Sequence, residues 1–175
     1  MKTVLDTSAL ISLETIELLE LALENIEILT TSRVVDELEK MIEFEDRLVE
    51  RAENVIKYVD EGKVEVVDVS EKKVDRVVSE SKSVDKGEAS CFLCAKESKV
   101  VNLVMDDVAA ASSLEGKAMR DGIHQRISAA VVVELMQKEV ISEEKARESL
   151  DSLIEDRDWR ESILEVLAEE HFSDD

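Results

Sequence analysis

Four acidic residues stand where an α/β protein would gather the ligands of a site. Asp6 and Asp106 each follow directly after a short apolar run that reads as a strand. Open α/β sheets bind their ligands outside the carboxyl ends of the strands. Glu37 and Glu88 fall in the first turns of predicted helices, where the helix dipole favours an ionised carboxylate. We therefore expect these four side chains to face one crevice.

The chemistry of such a crevice follows from its charge. Two carboxylates about 4 Å apart repel each other by about 4 kcal/mol at an effective dielectric constant near 20, so the cluster requires a cation. Oxygen ligands without Cys or His select Mg²⁺ or Mn²⁺. A metal ion of this kind can activate water and offset charge on a phosphate during an in-line displacement.

Each of these acids also has an ordinary structural explanation. Acidic residues number 43 of 175, so finding four of them is not informative in itself. The evidence for a site is where the four lie in the predicted elements. An Asp at a strand end often only forms a turn or a cap, and a Glu in a first turn often only complements the helix dipole. Three neighbouring acids compete for the same role. Asp36 should point about 100° away from Glu37, Asp107 is better placed to cap a helix, and Asp85 precedes Gly87.

The elements that would position these side chains alternate along the chain. The predicted strands are residues 3–5, 26–29, 64–69, 100–105 and 123–127. The predicted helices are 8–23 with a break near 14–15, 32–60, 71–81, 88–97, 107–114, 129–139, 142–154 and 159–169, with Ser8, Thr31 or Ser32, and Ser142 as caps. This alternation predicts a three-layer α/β/α fold with a central, mainly parallel five-stranded sheet. If the chain starts mid-sheet, moves outward through two strands and returns, the strands ending at Asp6 and Asp106 are neighbours.

Composition excludes several classes of protein. The chain has 22 basic and 43 acidic residues, a net charge of -21, no Pro, four Gly and two Cys. Disulfide scaffolds, collagen-like repeats and flexible linkers are excluded. No stretch approaches the roughly 18 apolar residues of a membrane span, so we expect a cytoplasmic protein with no membrane partner. The acidic excess argues against a broad basic face for nucleic acid, which leaves local or metal-mediated binding.

Two further groups of residues allow a functional and an ordinary interpretation. Cys91 and Cys94 form a C-x-x-C pair, but they have apolar neighbours and no second pair, which favours buried thiols over zinc or redox chemistry. The densest basic group alternates with acids, as in an ordinary charged helix face, although it could also guide RNA. Its members are Lys72, Lys73, Arg76, Lys82 and Lys86.

Apolar residues of the last third of the chain exceed what a five-stranded core needs. Large exposed apolar patches usually mark interfaces, so we expect a homodimer. The residues concerned are Val131, Val132, Val133, Leu135, Met136, Ile154, Trp159, Ile163, Leu164, Val166 and Leu167.

Four segments carry a resemblance to a known family. They are residues 4–11 (VLDTSALI), 31–38 (TSRVVDEL), 85–90 (DKGEAS) and 104–107 (VMDD). In this order they resemble the four motifs of a PIN (PilT N-terminus) domain. The resemblance spans roughly residues 1–128, and the helical tail, about 129–175, is similar to the extension of a prokaryotic subgroup. It implies one PIN-like domain over residues 1–175.

The resemblance implies a Mg²⁺- or Mn²⁺-dependent endoribonuclease, a phosphodiester hydrolase like the VapC toxins. Its partners would be an RNA substrate and an antitoxin protein. The matching positions give Asp6, Glu37, Glu88 and Asp106 as catalytic metal ligands, Thr7 and Ser8 as supporting hydroxyls, and Asp107 as an auxiliary ligand.

The chain departs from the family pattern after Asp107. Residues 108–111 lack an Arg that is often present there, and Ser128-Ala129 stands where Gly-Thr is frequent. Two alternatives therefore accompany the toxin hypothesis: an RNA-processing PIN nuclease without an antitoxin, and a catalytically inactive acidic interaction module. Metal binding distinguishes the nucleases from the inactive module, and a neighbouring gene for an antitoxin distinguishes the two nucleases.

Overall fold

A computed structural model describes residues 2–44, 47–157 and 166. The strands are β1 (Lys2–Leu5), β2 (Glu27–Thr31), β3 (Glu65–Val67), β4 (Asn102–Val104) and β5 (His124–Arg126). The helices are α1 (Thr7–Thr15), α2 (Leu19–Asn25), α3 (Ser32–Glu43), α4 (Val49–Asp60), α5 (Glu71–Ser79), α6 (Lys86–Glu97), α7 (Val108–Asp121), α8 (Ala129–Gln137) and α9 (Glu143–Asp156).

The sheet confirms the predicted topology. Its strands are all parallel in the order β3-β2-β1-β4-β5, so the chain starts in the middle, moves outward and returns on the other side of β1. Leu5 pairs with Val104 in the register of β1 and β4. One residue further, the Asp6 N–H donates to the Val104 carbonyl at 3.2 Å. Both central strands therefore end at the same edge of the sheet.

Helices cover the sheet and complete the predicted α/β/α arrangement. β4 is buried throughout, as parallel strands between helix layers are. α6 packs against β1, β2 and β4, and its residues from Ala89 to Ala95 are all buried. Cys91 and Cys94 lie in this stretch as free, buried thiols, which confirms their ordinary interpretation. α9 packs against α1 and α8.

The caps explain where several helices begin. Thr31 caps α3 by accepting from the Val34 N–H, and Ser142 caps α9 by accepting from the Lys145 N–H. The prediction that Ser8 caps the first helix is wrong, because Asp6 is the cap of α1. The carboxylate is an equally good N-cap, and it leaves the Ser8 hydroxyl for another role.

The predicted helix over residues 32–60 is two helices. α3 ends at Glu43, with Phe44 as its C-cap, and α4 begins at Val49. Both helices present an apolar face to the same core, so the apolar spacing continues across the break. α7 is longer than predicted, reaching Asp121 instead of stopping near residue 114, and Gly122 ends it with a φ of 69°.

Among the described residues, most of the apolar surplus that suggested a homodimer is used within the chain. Val131, Val132, Val133, Leu135 and Ile154 are buried in the core, and Met136 is partly buried against it. Trp159, Ile163, Leu164 and Leu167 lie outside the described residues, as does most of the predicted helix 159–169; Val166 is helical and 54% exposed. The homodimer stays a prediction, without the support of the buried residues.

Across the described ranges, no helix is both long and apolar enough to cross a bilayer.

Candidate active site

Asp6 is fixed at the carboxyl end of β1 by its own helix. It is 4% exposed, and as the cap of α1 its carboxylate accepts the Ala9 N–H at 2.7 Å. The Ser8 hydroxyl lies 2.8 Å from both carboxylate oxygens and donates to them. The strand end and the helix start together hold the carboxylate in one orientation.

Asp106 occupies the matching position at the end of β4. It is 7% exposed and accepts from the Ser12 hydroxyl at 2.6 Å and from the Ser128 N–H at 2.8 Å. Its own N–H donates to the Ser8 hydroxyl oxygen at 3.0 Å. Ser8 thus bridges Asp6 and Asp106, and Ser12, one turn further along α1, holds the second carboxylate.

The environment of this pair penalises negative charge. Burial raises the pKa of Asp6 well above its ordinary value, and the charge of Asp106 raises it further. Burial also raises the pKa of Asp106, although the Ser12 hydroxyl and the Ser128 N–H oppose this effect. Two desolvated carboxylates that repel each other form a site where a cation would be strongly favoured.

Glu37 reaches the same edge of the sheet from α3. It accepts from the Thr7 hydroxyl. Burial is the main cause that raises the pKa of Glu37, and the charge of Asp85 raises it further. A Cβ at Gly87 would lie 2.3 Å from the Glu37 Oε1. The absence of a side chain at Gly87 is therefore what lets Glu37 lie against the start of α6.

Glu88 forms a capping box at the start of α6. Its N–H donates to Asp85 at 2.8 Å, and its carboxylate accepts the Asp85 N–H at 2.8 Å. Burial is the main cause that raises the pKa of Glu88 to about 7, and the charges of Asp85, Asp107 and Glu37 add to it. Glu88 in turn raises the pKa of Asp6. The charges of the four predicted site residues are therefore linked in a chain, because Asp106 and Glu88 act on Asp6 and Glu37 acts on Glu88.

Two of the competing acids, Asp107 and Asp36, have ordinary structural partners, and the predicted cap at Asp107 is confirmed. Asp107 is exposed and caps α7, accepting the Ala110 N–H at 2.8 Å. Asp36 is exposed and pairs with Arg33 at 3.7 Å. Asp107 remains close enough to Glu88 to raise its pKa, so it contributes charge to the site.

The donor set can be tested for its fit to a divalent metal. Within the described ranges, no three His, Cys, Asp or Glu residues already gather as a ready ligand group. Asp6 and Asp106 nevertheless offer a pair of buried hard oxygen donors from neighbouring strands. Mg²⁺ keeps several waters and commonly binds through one or two carboxylates, so this pair fits that mode. The hydroxyl of Thr7 and the backbone of Asp85 hold Glu37 and Glu88 separately.

Sequence reasoning did not find two groups that support the site. Ser12 lies four residues after Ser8, so helical spacing could have identified it as a second hydroxyl on the same face of α1. Arg157 follows α9, and its charge acts on both Asp106 and Asp6. The one sequence signal for Arg157 is its helical spacing, four residues after Leu153, which places both on the same buried face of the helix. That spacing does not indicate that Arg157 lies near Asp6 and Asp106.

Comparison with known proteins agrees with this geometry. A search of curated proteins finds no match. A protein-family model described as a PIN domain matches residues 2–168, nearly the whole chain. PIN domains are in general nucleases that act on nucleic acid, which supports a hydrolase role here. The described α/β/α fold and the family match together show that the chain belongs to the PIN domain family.

Proposed function

We propose that this protein is a divalent-metal-dependent endoribonuclease that hydrolyses phosphodiester bonds in RNA. The observation that carries the proposal is the Asp6–Asp106 pair. Both carboxylates are buried at the ends of adjacent parallel strands and share the bridging Ser8. A fold that needed only helix caps at these positions would not require two carboxylates to be desolvated at neighbouring strand ends, where the charge of one acts on the other.

Asp6 and Asp106 would hold a Mg²⁺ or Mn²⁺ ion, which when bound would supply an activated water and offset negative charge on the phosphate. The chain supplies the orientation. Ser8 and the Ala9 N–H fix Asp6, and Ser12 with the Ser128 N–H fixes Asp106. Because these donors occupy some lone pairs of each carboxylate and leave others free, the oxygens stay preoriented and still able to bind a cation.

Glu37 and Glu88 complete the negative charge of the site. Thr7 holds Glu37 against Gly87, and the Asp85 N–H holds Glu88. We propose that both act on the metal's hydration shell or as further ligands. The raised pKa of each residue is consistent with an environment that a cation would relieve.

Purified protein incubated with labelled RNA in Mn²⁺, with and without EDTA, tests the proposal. We expect cleavage in Mn²⁺, none in EDTA, and none from Asp106→Asn prepared in parallel. Cleavage that persists in EDTA, or that Asp106→Asn retains, would contradict the proposal. A variant at the exposed Asp36 is the matched control, since Asp36→Asn also removes one carboxylate charge from a residue beside Glu37.

The finer assignment as a VapC-like toxin rests on the resemblance of the four motifs. We propose an antitoxin protein as its partner. The product of a neighbouring small open reading frame, added to the cleavage reaction, should bind the nuclease and inhibit it. If no adjacent product binds, the RNA-processing alternative is favoured.

A further inference from the structure

Three arginines lie at or next to the ends of α4 and α9, two helices that pack against α1. Arg157 is the C-cap residue of α9, Arg51 lies in the first turn of α4, and Arg47 lies in the turn before α4. α1, which starts at the capping Asp6, packs against both α4 and α9. We refer to Arg47, Arg51 and Arg157 as the arginine cluster.

Arg157 points inward from the buried face of α9. Ala146, Leu150 and Leu153 are buried on this helix, and Arg157 continues the same spacing one turn after Leu153. Its Nε is buried and has no hydrogen-bond partner in the described part of the chain. A cation suits the end of a helix, but this does not explain a buried and unpaired nitrogen, which is costly. The described residues therefore leave this nitrogen available to a ligand.

The charges around Arg157 connect the cluster with the site. Burial is the largest effect and lowers the pKa of Arg157, whereas the charges of Asp106 and Asp6 raise it. Arg47 and Arg51 lower it as well. Arg157 is therefore close enough to feel the charges of both aspartates and of both other arginines.

The arginine cluster differs from Lys73, Arg76 and Lys86, three of the five members of the basic group that the sequence highlighted on and after α5. There, Lys73 pairs with Glu97 at 2.7 Å, and Lys86 pairs with two acids, Glu71 at 2.7 Å and Asp75 at 2.8 Å. No member of the arginine cluster has an ion pair with a described residue.

Helix stability does not explain this contrast. Arg51 lies in the first turn of α4, where positive charge opposes the helix dipole. The chain has a net charge of -21, yet these three cations beside a carboxylate site form no ion pair with a described residue and feel acids such as Asp106 and Glu14 only through space. Their guanidinium groups therefore remain available to an anion.

We propose that the arginine cluster binds backbone phosphates of a single RNA strand next to the bond that is cleaved. The inference rests on the proposed function and names the path of its substrate. A guanidinium matches phosphate geometry with two parallel hydrogen bonds. Arg157 would contact the phosphate nearest the aspartates, and Arg51 and Arg47 would contact the strand as it leaves the site over α4.

The test measures binding separately from cleavage. Fluorescence anisotropy follows a labelled single-stranded RNA of mixed sequence, in EDTA and in the Asp106→Asn background, so that the RNA stays intact. In this background, Arg157→Gln, Arg51→Gln and Arg47→Gln are each compared with Arg147→Gln. Arg147 is the matched control, because it is an exposed arginine of α9 that pairs with Glu143 at 2.8 Å.

We expect each cluster variant to weaken RNA binding about ten-fold and the control to change it less than about two-fold. Three phosphate contacts predict a log-log salt slope near -2, and each variant should make it shallower by about 0.7. Arg47 is exposed, so Arg47→Gln keeps the test valid if Arg157→Gln does not fold.

Two outcomes would overturn the inference, and they are distinguishable. If RNA binds and Arg147→Gln weakens it as much as the cluster variants do, the cluster is wrong while the proposed function stands. If the parent protein binds no RNA and wild type cleaves none in Mn²⁺, the proposed function fails and the inference fails with it.

Discussion

At the scale of single residues, Gly87 shows how the site depends on the absence of a side chain. A methyl group there would meet the Glu37 carboxylate at 2.3 to 2.7 Å. Because Glu37 is the flexible partner, we expect Gly87→Ala to displace that carboxylate and to leave the fold intact. RNA cleavage should fall at least ten-fold while the melting temperature changes little.

The control for this prediction is Gly116→Ala, since a Cβ at Gly116 meets nothing within 4 Å. Gly116→Ala should keep full activity and gain slight stability from the better helix propensity of Ala. Unchanged cleavage by Gly87→Ala would mean that the position of Glu37 is unimportant.

Glu88 makes the stability of the metal-free protein depend on pH. Burial raises its pKa from 4.5 to about 7, so between these values the folded state keeps a proton that the unfolded state has lost. Stability should therefore fall as pH rises from about 4.5 to about 7 and then level off. Glu88→Gln keeps the capping box and removes this contribution, so its melting temperature should fall less between pH 5 and pH 8.

Self-repulsion of an acidic chain produces a similar trend, so a charge-matched control is needed. Glu148 is exposed on α9, and Glu148→Gln removes one charge far from the capping box. If Glu148→Gln and Glu88→Gln reduce the change of melting temperature between pH 5 and pH 8 by the same amount, net charge causes the effect and the raised pKa of Glu88 does not.

The positions of the two aspartates could be predicted from the sequence, but much of their support could not. Asp6 and Asp106 follow directly after apolar strands, so parallel topology brings them together. The Ser128 N–H is a backbone group and leaves no mark on the sequence. Arg157 reaches the pair through the packing of a distant helix. The sequence shows that residue 157 is an arginine, but it does not show which residues lie around it in the fold.

At the scale of elements, the sequence predicted most strands and helix starts but missed one break. Apolar positions repeat with helical spacing through both α3 and α4, and no Pro or Gly separates them. α3 ends before Phe44, and α3 and α4 pack against each other. Such a break is a tertiary effect, whereas the end of α7 at Gly122 is a local one, since a left-handed residue favours Gly.

α9 should be an integral part of the folded unit. Leu153 is fully buried on the face of α9 that packs toward α1 and α8. Leu153→Ala should lower the free energy of unfolding by about 2 to 5 kcal/mol, measured by urea denaturation as one transition. Met119→Ala is the control, because Met119 is 74% exposed. This substitution should lower the free energy of unfolding by less than about 0.5 kcal/mol. A Leu153→Ala effect as small as the control would show that α9 adds little to stability.

At the scale of the whole molecule, the net charge of -21 gives salt opposite effects on folding and on RNA binding. Raising NaCl from 0.1 to 1 M shortens the screening length from about 10 to about 3 Å, so self-repulsion weakens. The metal-free melting temperature should rise, as differential scanning fluorimetry can measure, while RNA affinity falls. A melting temperature that decreases with salt would mean that attractive ion pairs outweigh the excess charge.

The homodimer is also a prediction for the whole molecule. Light scattering at tens of micromolar should give about twice the 19.7 kDa mass of one chain if the dimer forms. A mass of one chain would contradict it. The burial of Val132 and Leu135 in the core means that any such interface must use other residues.

The central claim is that Asp6 and Asp106 form a metal-binding pair and are not merely caps. Asp106→Asn keeps the shape and removes one of two carboxylate charges that repel each other. Its amide oxygen can still accept from the Ser128 N–H, and the Ser12 hydroxyl, which loses its carboxylate acceptor, can donate to the backbone carbonyl one turn earlier in α1. The metal-free variant should therefore melt at the same temperature as wild type or higher.

The decisive measurement is the melting temperature of wild type and Asp106→Asn, each without metal and with Mn²⁺ at about a hundred times its dissociation constant. Binding to the folded state alone adds about 2.7 kcal/mol, so wild type should gain roughly 5 to 11 °C. Asp106→Asn should gain little, and Asp107→Asn should keep most of the gain. A full Mn²⁺ shift in Asp106→Asn, or a metal-free variant that melts well below wild type, would contradict the account.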